Sequence, residues 1–181
     1  MKRKIYQGLT FRPFIEKEEI LARVSEIGRE ISMRYGDSYP LLVCVLNGAA
    51  PFAVDLFRSL DIDAEITFIR MRSYEGTSST GSVKQIMGLE DDIKGRHVII
   101  VEDIIDSGLT MARLVDEISS RGPASVSIAT LLLKPSSLKV DIRPDWTGFE
   151  IPADFIIGYG LDIDGRGRNL NDIYTLAEGG A

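Results

Sequence analysis

The chain of 181 residues contains one cysteine and one histidine. The single thiol, Cys44, excludes an internal disulfide; lying inside the apolar run LLVCVL, it reads as a buried side chain rather than a nucleophile. The lone His97 precedes a buried strand and is read as structural or surface rather than catalytic, and without a His/Cys cluster there is no zinc-type site. No apolar run approaches the ~18 residues of a membrane span. The start, MKRKIYQGLTFRPFIEKEEI, is basic but lacks an apolar segment long enough for a signal peptide, so a reducing cytoplasm is the expected setting. Basic residues are outnumbered, 21 Lys and Arg against 27 Asp and Glu, and the net charge of −6 argues against general affinity for nucleic acid or anionic lipid. There is no internal repeat, no low-complexity linker and no GxGxxG fingerprint. GTSSTGS (76–82) has the glycine spacing of a nucleotide loop, but it lacks the Lys and joins two strands.

What is present is a regular alternation of strand and helix. From Glu16 to Tyr35, Ile20, Val24, Ile27 and Ile31 recur at helical spacing, as on a helix packed against a core. LLVCVL (41–46) is too short for a helix and reads as a buried strand; AAPFAVDLFRSL after it is helical, with Pro51 tolerated in the first turn. AEITFIRMR (64–72) alternates and is rich in β-branched residues, with VKQIM (83–87) as its partner across the polar loop SYEGTSSTGS. HVIIVED is a buried strand, GLTMARLVDEISSRG a helix closed by Gly122, and ASVSIATLLL another long strand. Such alternation predicts one α/β domain over 1–181, with a central, mainly parallel twisted sheet flanked by helices and ligands at the carboxyl ends of its strands. The expected core covers about 36–135. After Lys134 the period loosens, and residues 136–181 with the N-terminal residues are expected to form a small hood, Trp146 packing within it.

The chemistry concentrates in VIIVEDIIDSGLT (98–110), where three carboxylates crowd a strand-turn-helix junction. Such a junction aims backbone N–H groups and the helix dipole at one point and suits a phosphate; Ser107 and Thr110 add hydroxyls, and Gly108 admits close backbone approach. Carboxylates placed directly on phosphate would repel it. A sugar phosphate resolves this: Glu102 and Asp103 accept hydrogen bonds from ribose hydroxyls or hold Mg²⁺, the turn holds a 5′-phosphate, and Asp106 points to the reacting end. The structural alternatives are a helix N-cap for Asp106 and solvated strand-end acids for the pair.

The same segment closely resembles the phosphoribosyl pyrophosphate (PRPP) signature of type I phosphoribosyltransferases, in their hypoxanthine-guanine branch. VLNGAAPFAVDL, FIRMRSYEGTSSTGSVK, LLLKP and GFEIPADFIIGYGLDIDGRGRNL resemble that family in the same order, over most of 41–170. The resemblance implies transfer of the phosphoribosyl group from PRPP to hypoxanthine or guanine, giving IMP or GMP and pyrophosphate. It assigns Asp106, Ser107, Gly108, Leu109 and Thr110 to the 5′-phosphate, Glu102 and Asp103 to the ribose or its Mg²⁺, and Asp106 to proton exchange at purine N7. Lys134 then bonds the 6-oxo group, Phe155 stacks on the base and Ile156 reads its edge through the backbone. Asp162 holds a second Mg²⁺ and Arg168 contacts pyrophosphate. Ser73 and Tyr74 belong to a mobile loop that closes over the reaction. Homodimers or homotetramers are the family's assemblies.

Leu46-Asn47-Gly48 departs from the family, where Leu-Lys-Gly is common in a pyrophosphate loop often containing a non-proline cis peptide. Asn47 removes a charge but leaves the backbone donors, so the subsite is expected to persist with altered affinity or subunit coupling. Two other functions fit parts of the pattern. A PRPP-sensing nucleic-acid regulator should carry a basic face, which this composition opposes, and a phosphoacceptor receiver domain should have its acids nearer the start of the chain.

Overall fold

The computed structural model describes residues 2–74, 83–89 and 92–177. Its main sheet has six strands: β3 (Leu41–Leu46), β4 (Glu65–Tyr74), β5 (Val83–Met87), β6 (His97–Ile105), β7 (Ser125–Leu133) and β8 (Trp146–Glu150), in the spatial order β5-β4-β3-β6-β7-β8. Five of them run parallel, and β5 pairs antiparallel with β4 at one edge. The helices are α1 (Lys17–Tyr35), α2 (Ala50–Ser59) and α3 (Leu109–Ser119).

The pleat explains why the inner strands read as unbroken apolar runs. Along β3, Leu42 and Cys44 enter the core cluster under α1 and α2, while Leu41, Val43 and Val45 enter the one under α3. Ile20, Val24, Ile27 and Ile31 of α1 pack in the first cluster, as their spacing predicts. His97 opens β6, its Nδ1 2.8 Å from Ser125 Oγ and its ring against Tyr35, in keeping with a structural role.

A smaller antiparallel sheet forms the hood, built from β1 (Lys4–Tyr6), β2 (Leu9–Ile15), β9 (Ile156–Ile157) and β10 (Ile173–Leu176) in the order β1-β2-β10-β9. It joins both ends of the chain, Phe11 pairing with Leu176.

One expectation needs correction. Trp146 to Glu150, assigned from sequence to the hood, extend the main sheet as β8, and Trp146 packs in its core with Tyr35 and α1. The outer edge of β8 is covered by Arg23 of α1, whose Nη2 donates to Thr147 O at 2.9 Å.

Candidate active site

The site gathers at the carboxyl ends of β3, β6 and β7. β6 ends at Ile105, and the chain turns through Asp106 and Ser107 to Gly108, which caps α3 with φ 76° and no side-chain cap. Only glycine suits this position, because a Cβ there would also crowd Ile142 and Val140 at 2.9 and 3.0 Å. The first turn of a helix has N–H groups without intrahelical partners, and here it opens on a recess of ≈ 130 Å³ lined in part by Glu102, Asp106, Ser107, Gly108 and Thr110. Leu109, the first helical residue, is exposed.

Asp106 is therefore not the N-cap. Register takes it elsewhere: Ile105 pairs with Leu133, so the next residues of the two strands, Asp106 and Lys134, fall side by side. Lys134 N donates to Ile105 O at 3.0 Å, and its Nζ lies 3.0 Å from Asp106 Oδ2. Lys134 is buried, so its ammonium depends on this partner, whereas Asp106 remains exposed.

Glu102 and Asp103, adjacent on β6, divide between the two sides of the site. Glu102 lines the recess, while Asp103 packs against Gly48, where any Cβ would overlap its carboxylate. The pair stays in contact through the Asp103 N–H, which donates to Glu102 Oε1 at 3.2 Å, and Ile104 N–H donates to Asp103 Oδ1 at 2.8 Å. Burial, and then the charge of Asp103, pushes the Glu102 carboxyl well above the ordinary carboxylate range. Burial also raises Asp103, opposed by its hydrogen bonds with Glu102 and the backbone and by the charge of Arg168. Beneath them Cys44 is fully buried and its thiol is pushed up to about 12, first by burial and then by these two acids. It is an inert core thiol, as its apolar setting predicts.

Leu46-Asn47-Gly48 closes β3, with the Leu46–Asn47 peptide cis. Asn47 Oδ1 accepts a 2.7 Å bond from Arg70 Nη2. Opposite, the hood loop brings Gly160, at φ 101°, against Gly48 O, so that no Cβ fits there either. Tyr159 OH donates to Asp55 Oδ2 on α2 at 2.6 Å and anchors this part of the hood to the core. Arg168 binds Asp162 (Nη2 to Oδ1, 2.6 Å) and donates to Gly160 O at 2.7 Å. Asp162 Oδ2 also accepts from Gly165 N at 2.6 Å.

Phe155 is 48% exposed, its ring 6.2 Å from Phe11, while Ile156 is buried and pairs with Thr175. An apolar ring left this open is suited to stacking on a flat ligand. Ser73 and Tyr74 are backbone members of β4, paired with Lys84 and Val83. The loop 75–82 that the sequence assigns to closure lies outside the described residues. Among the contacts not foreseen from the sequence are those of Arg70 with Asn47 and of Tyr159 with Asp55. The Leu46↔Arg70 register, visible only once the parallel pairing of β3 and β4 is known, carries the first.

A parallel sheet whose strand ends carry an anion turn, paired acids and a separate hood defines a nucleotide- or sugar-phosphate-handling enzyme of the doubly layered α/β type. The family described as phosphoribosyl transferase domain matches residues 15–164. The chain is 46% identical over 163 residues to the hypoxanthine-guanine phosphoribosyltransferase of Bacillus subtilis, covering 90% of this chain and 91% of that protein. A Bacillus anthracis hypoxanthine-guanine phosphoribosyltransferase structure superposes with a TM-score of 0.83 at 35% identity, covering 97% of this chain and 100% of that one. A variant of Trypanosoma cruzi hypoxanthine phosphoribosyltransferase, complexed with the product IMP, gives 0.85 at 32% identity over 97% of this chain and 94% of that one. The chain belongs to the type I phosphoribosyltransferase family, in its hypoxanthine-guanine branch.

Proposed function

We propose that the protein is a purine-salvage enzyme that transfers the 5-phosphoribosyl group of PRPP to N9 of hypoxanthine or guanine, releasing pyrophosphate and forming IMP or GMP. The observation that carries this reading is the placing of Lys134 and Asp106 side by side at the rim of an anion-binding turn. A 6-oxopurine presents an acceptor at O6 next to N7, and this pair offers it a donor and a proton acceptor.

The turn from Asp106 through Ser107, Gly108 and Leu109 to Thr110 holds the 5′-phosphate, and Glu102 meets the ribose hydroxyls. The base lies between Phe155 and Lys134, its edge read by the backbone of Ile156. Asp106 takes the N7 proton as N9 forms its bond to C1′ and the bond from C1′ to the pyrophosphate oxygen breaks, with inversion at C1′. Asp106 also stabilises the positive charge developing on the ribose. Leu46, Asn47, Gly48 and Arg168 receive the leaving group, and Ser73 and Tyr74 lead into the loop that closes over it.

Mg²⁺ fits the donor set at Glu102 and Asp103, two neighbouring carboxyls whose charged forms burial disfavours. Asp162 is the candidate ligand on the hood side. Among the described residues no three such side chains converge, so most ligands would be substrate and water oxygens. Bound there, the ion would offset charge on the diphosphate as it leaves. The same reading takes 1–181 as one domain acting as a homodimer or homotetramer.

Purified protein incubated with PRPP, Mg²⁺ and each 6-oxopurine should form IMP and GMP, followed by the absorbance change on nucleotide formation. No turnover with either base would refute the assignment.

A further inference from the structure

We propose that Arg70, oriented by Asn47, is a binding residue for the leaving pyrophosphate, and that Asn47 is its positioning residue. The inference rests on the reading of the 46–48 loop as the pyrophosphate subsite.

The charges at this sheet edge do not favour a polyanion as they stand. Glu102, Asp103, Asp106 and Asp162 supply four carboxylates, and the two cations assigned to substrate are already engaged. Lys134 lies 3.0 Å from Asp106, and Arg168 2.6 Å from Asp162. Even with Mg²⁺ at the paired acids, a diphosphate brought to Gly48, itself packed on Asp103, gains from a protein cation that is not already neutralised.

Arg70 meets that need. It is the register partner of Leu46, so it leaves β4 level with the loop. Among the described residues its side chain bonds an amide oxygen, Asn47 Oδ1 at 2.7 Å, and makes no ion pair. A neutral amide fixes the direction of a guanidinium without cancelling its charge. Arginine carries five N–H donors in a planar fork; one held by Asn47 leaves the others for bidentate contact with phosphate oxygens. Both residues are exposed, so the cation is open to an incoming anion. The Asn47 amide is neutral and brings no charge of its own. The loop thus obtains its cation from the neighbouring strand: Asn47 sets the direction and Arg70 carries the charge.

The test is steady-state kinetics of the full-length enzyme in both directions, with Arg70→Gln, Arg70→Lys, Asn47→Ala, Asn47→Ala/Arg70→Gln and Arg168→Gln. Arg70→Gln should raise KM for pyrophosphate by about tenfold or more, the scale of one charge-assisted contact, and leave KM for IMP nearly unchanged. Arg70→Lys should recover part of the loss, because it keeps charge without the fork. Asn47→Ala should move the same constant in the same direction by a smaller factor, and adding it to Arg70→Gln should cost nothing more, since the two act as a unit. Both sites are exposed, so thermal midpoints should stay at the wild-type value. An unchanged pyrophosphate KM in Arg70→Gln, with a raised one in Arg168→Gln, would overturn the inference and leave the loop assignment standing. If neither substitution moves it, the loop assignment fails and the inference with it. Equal effects on IMP and pyrophosphate would also overturn it.

Discussion

Lys134 Nζ and Asp106 Oδ2 stand 3.0 Å apart, a buried cation held by an exposed carboxylate. If each meets the 6-oxopurine as proposed, base binding exchanges this contact for two contacts to the ligand. Asp106→Asn keeps the shape but removes charge and proton acceptor, and kcat should fall at least ~10²-fold with PRPP binding less affected. Lys134→Gln should raise KM for hypoxanthine about tenfold, more than KM for PRPP. Steady-state kinetics with each substrate varied checks both, and an Asp106→Asn enzyme with wild-type kcat would remove Asp106 from its role.

Glu102 illustrates a cost of keeping paired acids out of water. Burial and Asp103 both work against its charged form, so Glu102→Gln should stabilise the fold at pH 8 by about 1 kcal/mol while weakening PRPP binding. Urea unfolding in chelator, alongside KM for PRPP, separates the two effects. A variant less stable than wild type would mean that the carboxylate contributes more through its hydrogen bonds than it costs through repulsion.

Cys44 gives a pH signature of its own. The unfolded thiol ionises near 9 and the folded one at about 12, so the unfolded chain releases its proton first. The stability due to the neutral buried thiol is complete below pH 9 and is lost as pH rises from 9 toward 12. Between pH 9 and 10 the wild type should lose about 1 kcal/mol more than Cys44→Ala, whose side chain does not titrate. Parallel unfolding curves across that interval would show the thiol to be less shielded than its burial implies.

Gly48 is confined by Asp103 on one side and Gly160 on the other. Gly48→Ala should therefore cost about 1–3 kcal/mol of stability, as overpacking does, and raise KM for PRPP and pyrophosphate together. Calorimetry and reverse-direction kinetics measure this. Wild-type values in both would show that the close approach can be relaxed without loss.

Much of the core was readable because parallel strands buried on both faces leave unbroken apolar runs. LLVCVL and HVIIVED followed by helical spacing could hardly be anything else, and the acids closing the second run fell in the carboxyl part of its strand, which continues to Ile105. The hood was opaque for the opposite reason. β9 has two residues, and β2 finds its partner at the other end of the chain, so neither shows a period of its own. WTGFE was misplaced because Gly148 and flanking irregular chain hide a strand whose identity comes from pairing with β7. The contact of Lys134 with Asp106 needed strand register, and that of Arg70 with Asn47 needed strand order, which no local pattern contains.

Gly160 resting on the carbonyl of Gly48, with Tyr159 fastened to Asp55 beside it, gives the hood a second task. The hood strand that carries Ile156 and Ile157 thus leads within a few residues to the segment that rests on the 46–48 loop. Any shift of the Tyr159–Gly160 segment would therefore be felt directly at the carbonyl of Gly48, coupling the hood to the 46–48 loop by contact alone.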